Sequence, residues 1–88
     1  MKKTYDSELL ELLCRIDDKI TMSEVLSNLL TPQEREELDV RLQIFKRLVD
    51  GENQRHIAKA LGVSIATVTR GSRELKYGKP GIKKVIGR

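Results

Sequence analysis

Aromatic side chains are nearly absent from this chain: two tyrosines, one phenylalanine and no tryptophan among 88 residues. Leucine, isoleucine and valine must therefore build its core. A single cysteine, Cys14, allows no internal disulfide and points to the reducing cytoplasm. Cys14 follows Leu13 in an apolar helical pattern, which marks it as a small core residue rather than a nucleophile. The one histidine, His56, cannot assemble a metal site or a catalytic triad, so neither a metal nor an enzyme is expected. No apolar run approaches the ~18 residues of a membrane span, and the start MKKTYDSELL lacks the apolar stretch of a signal peptide. Alternating apolar patterns and Asn-Gly hairpins, the signals of β-strands, are missing as well. An all-α chain remains.

A chain this short makes one domain, 1–88, with a limited core, and such helical chains often complete their core by dimerising. Its formal net charge of +4 is modest, but the distribution is not. Residues 1–50 carry 8 Lys or Arg against 11 Asp or Glu, a balance of −3. Residues 51–88 carry 9 against 2, a balance of +7, and the two balances give the total of +4. One-sided basic charge is the electrostatic footprint of a nucleic-acid face; it supplies affinity but no sequence information.

Leu9, Leu12, Leu13, Ile16 and Ile20 recur at i, i+3, i+4 and i+7 and predict a first helix over about residues 5–18. Thr21 or Ser23 can cap a second, whose apolar stripe is Met22, Val25, Leu26, Leu29 and Leu30. Thr31-Pro32-Gln33-Glu34 starts a third: a capping hydroxyl, a proline at the first helical position, and a glutamate three residues after the cap. This helix runs to about Asp50 and stops at Gly51. Its apolar residues, from Val40 through Ile44, Leu48, Phe45, Leu38, Val49 and Leu42, cover an arc of roughly 200°, about twice what a surface helix needs. Such a face suits a helix surrounded by others, a second subunit among them. Arg41 falls inside this arc, where an unpaired charge is costly. A salt bridge to Glu37 or Asp39, or an aliphatic stem reaching for water, would explain it. Residues 1–50 thus read as dimerisation helices.

Residues 54–72, QRHIAKALGVSIATVTRGS, predict a helix, a tight turn and a second helix suited to the major groove of DNA. Ile57, Ala58 and Leu61 give the first helix one apolar face, with Ala58 small where a helix must cross closely. Gly62 supplies the left-handed end. Val63 fills the space under the turn, and Ser64 caps the second helix. Ile65 and Val68 are expected to hold that helix against the first. Ala66, Thr67, Thr69 and Arg73 then point outward, small, hydroxylated or cationic side chains suited to base edges and phosphates. The helix-turn-helix spans 54–76. The tail 77–88, YGKPGIKKVIGR, reads as one short helix around Ile82 to Ile86 or as a basic arm.

From Leu30 to Lys76 the chain resembles the Trp repressor family of tryptophan-responsive helix-turn-helix repressors and their wider relatives. The resemblance rests on LTPQERE (30–36), Arg41, the Gly51-Glu52 helix end, IATVTRGS (65–72) and Leu75-Lys76. It implies an all-α homodimer whose N-terminal helices intertwine, carrying helix-turn-helix reading heads. It also implies a sequence-specific repressor that binds a palindromic double-stranded DNA operator, with L-tryptophan as corepressor. The resemblance assigns Arg41 and Arg70 to the two faces of the indole, an arrangement that guanidinium stacking favours. Arg70 would also hold the ligand carboxylate with help from Thr31. Leu30 would offer a backbone carbonyl to the ammonium, and Gly71 would lie against the pocket. Glu74 stands where typical members have a serine that helps hold the amino group. A carboxylate there can pair with the ammonium or repel the ligand carboxylate. One residue is also missing between Gly51 and Gln54 relative to the family pattern.

The DNA contacts implied are Arg55 to a base, and Gln54, Ser64, Ile65 and Ala66 along the backbone-contacting edge. Thr67 and Thr69 would meet bases or phosphates, often through water, and Lys59, Arg73 and Lys76 would meet phosphates. Two alternatives stand beside this expectation. One is a DNA-binding regulator with another ligand or none, and Glu74 motivates it. The other is a helical interaction module whose basic half binds an acidic protein.

Overall fold

The computed structural model describes residues 4–87. Residues 1–3, at the start of the expected dimerisation segment, and residue 88, at the end of the basic tail, lie outside the described residues. Six helices follow one another: α1 (Thr4–Arg15), α2 (Lys19–Leu29), α3 (Pro32–Val49), α4 (Gln54–Leu61), α5 (Ile65–Tyr77) and α6 (Gly81–Ile86). No strand occurs among the described residues, and the fold is all-α. The chain divides into two compact units between Arg35 and Glu36, within α3.

In the first unit, α1 ends at Arg15, earlier than the leucine spacing predicted. Asp18 is the reason. It adopts an extended backbone and its carboxylate accepts the Thr21 N–H at 2.8 Å, so it, and neither Thr21 nor Ser23, caps α2. Aspartate is among the strongest caps, and it breaks the helix before it to start the next. Ile20 consequently belongs to α2. Cys14 is exposed rather than in a core. The start of α3 follows the predicted pattern: Thr31 Oγ1 accepts the Glu34 N–H at 3.1 Å, and Glu34 accepts the Thr31 N–H at 2.9 Å. These reciprocal bonds satisfy two donors that a helix start leaves orphaned.

In the second unit, the core is Ile44 from α3, Ile57 and Ala58 from α4, and Val68 from α5, flanked by Val40, Leu48, Leu61 and Val63. Burying each of the larger side chains contributes about 1.5–3 kcal/mol. Ile65, expected to help hold α5 to α4, is instead 47% exposed. It is the first residue of α5, where no preceding helical turn covers it. Only Ile44 of the broad apolar arc on α3 is fully buried, and Leu38 and Leu42 remain exposed. The tail forms α6, which has no side-chain cap and leaves Lys83 and Lys84 on the surface.

Candidate nucleic-acid interface and ligand cleft

The join between α3 and α4 is set by short-range bonds. Gly51 takes a positive φ of 89°, and the Asn53 side chain accepts the His56 N–H at 2.8 Å to cap α4. Glu52 accepts from Arg47 at 3.1 Å and lies 3.8 Å from His56 Nε2, bracing the end of α3 against the first turn of α4. The turn between α4 and α5 uses Gly62 at φ 70°, where a side chain would strain the backbone. Ser64 then caps α5 by accepting the Thr67 N–H at 3.1 Å, and its hydroxyl lies 2.9 Å from that of Thr67. Thr69 Oγ1 donates to Gln54 Oε1 at 2.6 Å and joins α5 to α4. Val68, Ile57 and Ala58 fill the angle between the helices.

This arrangement leaves one face of α5 open. Ala66, Thr69, Arg70, Arg73, Glu74 and Tyr77 line a groove along it, and they recur at the three- and four-residue spacing of one helix face. Arg55 and Lys59 are exposed on α4, Lys76 is exposed near the end of α5, and Ile65 and Ala66 are exposed at its start. The Thr67 N–H donates to Ser64, and the N–H groups of Ile65 and Ala66, with no acceptor inside their own helix, are suited to anionic oxygens.

A second concavity lies between α3 and α5. Arg41, Ile44 and Phe45 of α3 face Thr67, Arg70, Gly71 and Glu74 of α5 across a cleft of about 300 Å³. That is at the lower end of the range for small-molecule sites, ~300–1,000 Å³. Arg41, Arg70, Gly71 and Glu74 were expected at a ligand site, and the fold brings these four together. Leu30, the C-cap of α2, and Thr31, engaged in the capping box, belong to the first unit. Ile44, Phe45 and Thr67 were missed as cleft residues. Helical spacing could have found them: 41, 44 and 45 share one face of α3, and 67, 70, 71 and 74 share one face of α5.

Among the described residues none of Arg41, Arg70 and Glu74 has an ion-pair partner, so the salt bridge considered for Arg41 is not formed. The Glu74 carboxylate curls back towards Gly78 at the end of its own helix. A carboxylate near a helix C-terminus is unfavourable, because the terminal carbonyls carry partial negative charge. The cleft therefore presents two guanidiniums, one carboxylate and an aromatic edge, and it shares Arg70 and Glu74 with the open groove of α5. Among the described residues, no group of three or more His, Cys, Asp or Glu side chains could hold a metal ion. No helix of the described residues is long and apolar enough to cross a membrane.

Fold and site together define an all-helical helix-turn-helix protein with a charged cleft behind its second motif helix. The family model described as Trp repressor protein matches residues 5–88, and the chain belongs to that family. It is 44% identical over 71 residues to the Trp operon repressor homolog of Aliivibrio fischeri, covering 80% of this chain and 66% of that protein. It is 46% identical over 70 residues to the Trp operon repressor homolog of Vibrio campbellii, covering 78% and 70% of the two chains. With the Vibrio atlanticus homolog it shares 40% identity over 80 residues, covering 90% and 82%. The chain thus spans just under two thirds of the length of the Aliivibrio relative. No solved structure matches it.

Proposed function

We propose that this chain is a cytoplasmic transcriptional repressor that binds a palindromic DNA operator as a homodimer and is gated by L-tryptophan. The observation that carries the reading is the cleft, because Arg70 and Glu74 belong both to it and to the outward groove of α5. Whatever fills the cleft therefore bears directly on the helix that faces DNA. Arg41 and Arg70 would bracket an indole and hold a carboxylate, Gly71 would let the ring approach, and Glu74 would receive the ammonium. Leu30 and Thr31 are assigned to the same ligand. No residue is assigned a catalytic role.

On the DNA side, Arg55 would read a base, Thr67 and Thr69 would meet bases or phosphates, often through water, and Gln54, Ser64, Ile65 and Ala66 would line the backbone-contacting edge. Lys59, Arg73 and Lys76 supply phosphate contacts. Half-sites would lie about one helical turn apart, roughly 34 Å. Support for a dimer comes from the small core and from the apolar side chains that one chain leaves uncovered, among them Leu9, Leu10, Ile20, Leu29, Leu38 and Leu42. Residues 1–50 would form the dimerisation helices, 54–76 the reading head and 77–88 a basic helical tail, within one functional domain.

Selection of bound sequences from a random DNA pool, with and without L-tryptophan, tests the proposal. Enrichment of a palindrome that strengthens with tryptophan is expected; enrichment indifferent to tryptophan removes the corepressor. That second outcome would favour a DNA-binding regulator with another ligand or none, the reading that a carboxylate at Glu74 motivates. A chain that enriches no sequence at about 150 mM salt is not a sequence-specific repressor.

A further inference from the structure

We propose that Gln54 and Thr69 form a single reading unit, in which Thr69 fixes the Gln54 amide so that its NH2 group addresses the DNA. The proposal rests on the DNA-binding reading above. Gln54 is the first residue of α4 and Thr69 lies in the second turn of α5, so sequence alone does not pair them. Their hydrogen bond of 2.6 Å is the one side-chain bond that links the two motif helices among the described residues. Both side chains are half-buried, which shields the bond from competing water.

The donor direction decides what the pair can recognise. A glutamine with both amide ends free can bind adenine bidentately, accepting from N6 and donating to N7. Here the oxygen receives the Thr69 hydroxyl, and the two N–H donors remain. These match a hydrogen-bond acceptor: guanine N7 or O6, or a phosphate oxygen. Adenine is disfavoured, because its N6 amino group needs a protein acceptor and the Gln54 oxygen has only one lone pair left to offer it. The bond also holds a flexible side chain in place before DNA arrives, so less rotamer freedom is lost on binding. Thr69 is thus a positioning residue, and Gln54 makes the contact.

A double-mutant cycle on the full chain tests this, with affinities measured for the operator selected from a random pool. Gln54→Ala and Thr69→Val should each weaken binding about tenfold, while the double variant also loses about tenfold rather than a hundredfold. Thr69→Ser keeps the hydroxyl and should bind within about twofold of the parent. Repeating the selection with Thr69→Val distinguishes the acceptors. Adenine newly accepted at one position identifies guanine as the partner, and an unchanged sequence bound more weakly identifies a phosphate. Thr69→Ala replaces Thr69→Val in the cycle if the valine variant melts at a lower temperature than the parent. Effects that multiply in the double variant, or loss of the hydroxyl without consequence, would overturn the proposal and leave the DNA-binding reading standing. A parent chain that selects no sequence overturns both.

Discussion

Gly71 of α5 sits so close to Ile44 of α3 that a methyl group added to it would lie 2.9 Å from Ile44 Cγ2. Ile44 is 1% exposed, and its Cγ2 branches at the β-carbon, so it cannot swing aside as the end of a long side chain would. A glycine within a helix sacrifices about 1 kcal/mol relative to alanine, and this close approach is what repays it. Gly71→Ala should therefore destabilise the protein by about 1 kcal/mol, since overpacking of about 2 kcal/mol exceeds the gain of about 1 kcal/mol in helix propensity. Denaturant unfolding measures this directly. A variant as stable as the parent would mean that α3 and α5 separate freely, and the cleft between them would lose its fixed wall.

The two arginine roles separate by experiment. Arg70 lines the cleft and Arg55 is exposed on α4, away from it. Arg70→Ala should abolish the dependence of DNA binding on ligand, whereas Arg55→Ala should relax base preference and leave ligand binding intact. A lost bidentate contact to guanine corresponds to about 1–3 kcal/mol of discrimination. Calorimetric titration of ligand and sequence selection give the two readouts. Equal and sequence-independent weakening by both changes would show that the roles are misassigned.

Much of the fold was legible because the decisive signals are local. The Thr31–Glu34 capping box, the left-handed Gly62 and the Ser64 cap each depend on neighbours within a few residues, and each is found where the spacing put it. Asp18 was overlooked because hydroxyl caps at Thr21 and Ser23 competed with it, and its extended backbone is invisible in an apolar count. The exposure of Ile65 and the incomplete covering of α3 depend on which surfaces meet, which periodicity does not encode. The cleft lies between these cases. Its two faces are spaced as helical neighbours, but only the packing of α5 on α3 turns them towards each other.

Acid should loosen the start of α2. The backbone N–H of Thr21, with the Thr21 side chain assisting, holds the Asp18 carboxyl below its ordinary range. A lowered folded value means that the cap contributes fully above the carboxylate range and is lost as pH falls through that lowered value. Asp18→Asn caps about as well but does not titrate. Helical circular dichroism followed from neutral to acid pH should therefore show an acid loss in the parent that is smaller in the asparagine variant. Identical pH profiles would assign the loss to other carboxylates.

The charge of Glu74 offers the most direct test of what the cleft would accept. With Arg41 and Arg70 it makes a site of two positive charges and one negative, complementary to a molecule that carries a carboxylate and an ammonium. Neutralising it by Glu74→Gln removes the partner of the ammonium and leaves the partners of the carboxylate. Affinity for L-tryptophan should then fall about tenfold, the scale of a charge-assisted hydrogen bond of about 1.5 kcal/mol. Affinity for indole-3-propionate, which has the ring and the acid but no amine, should hold or rise as a repulsive charge disappears. Calorimetry on both ligands with both proteins completes the comparison. If Glu74→Gln binds tryptophan more tightly, the carboxylate acts by repelling the ligand acid, and a ligand without that acid becomes the better candidate for this cleft.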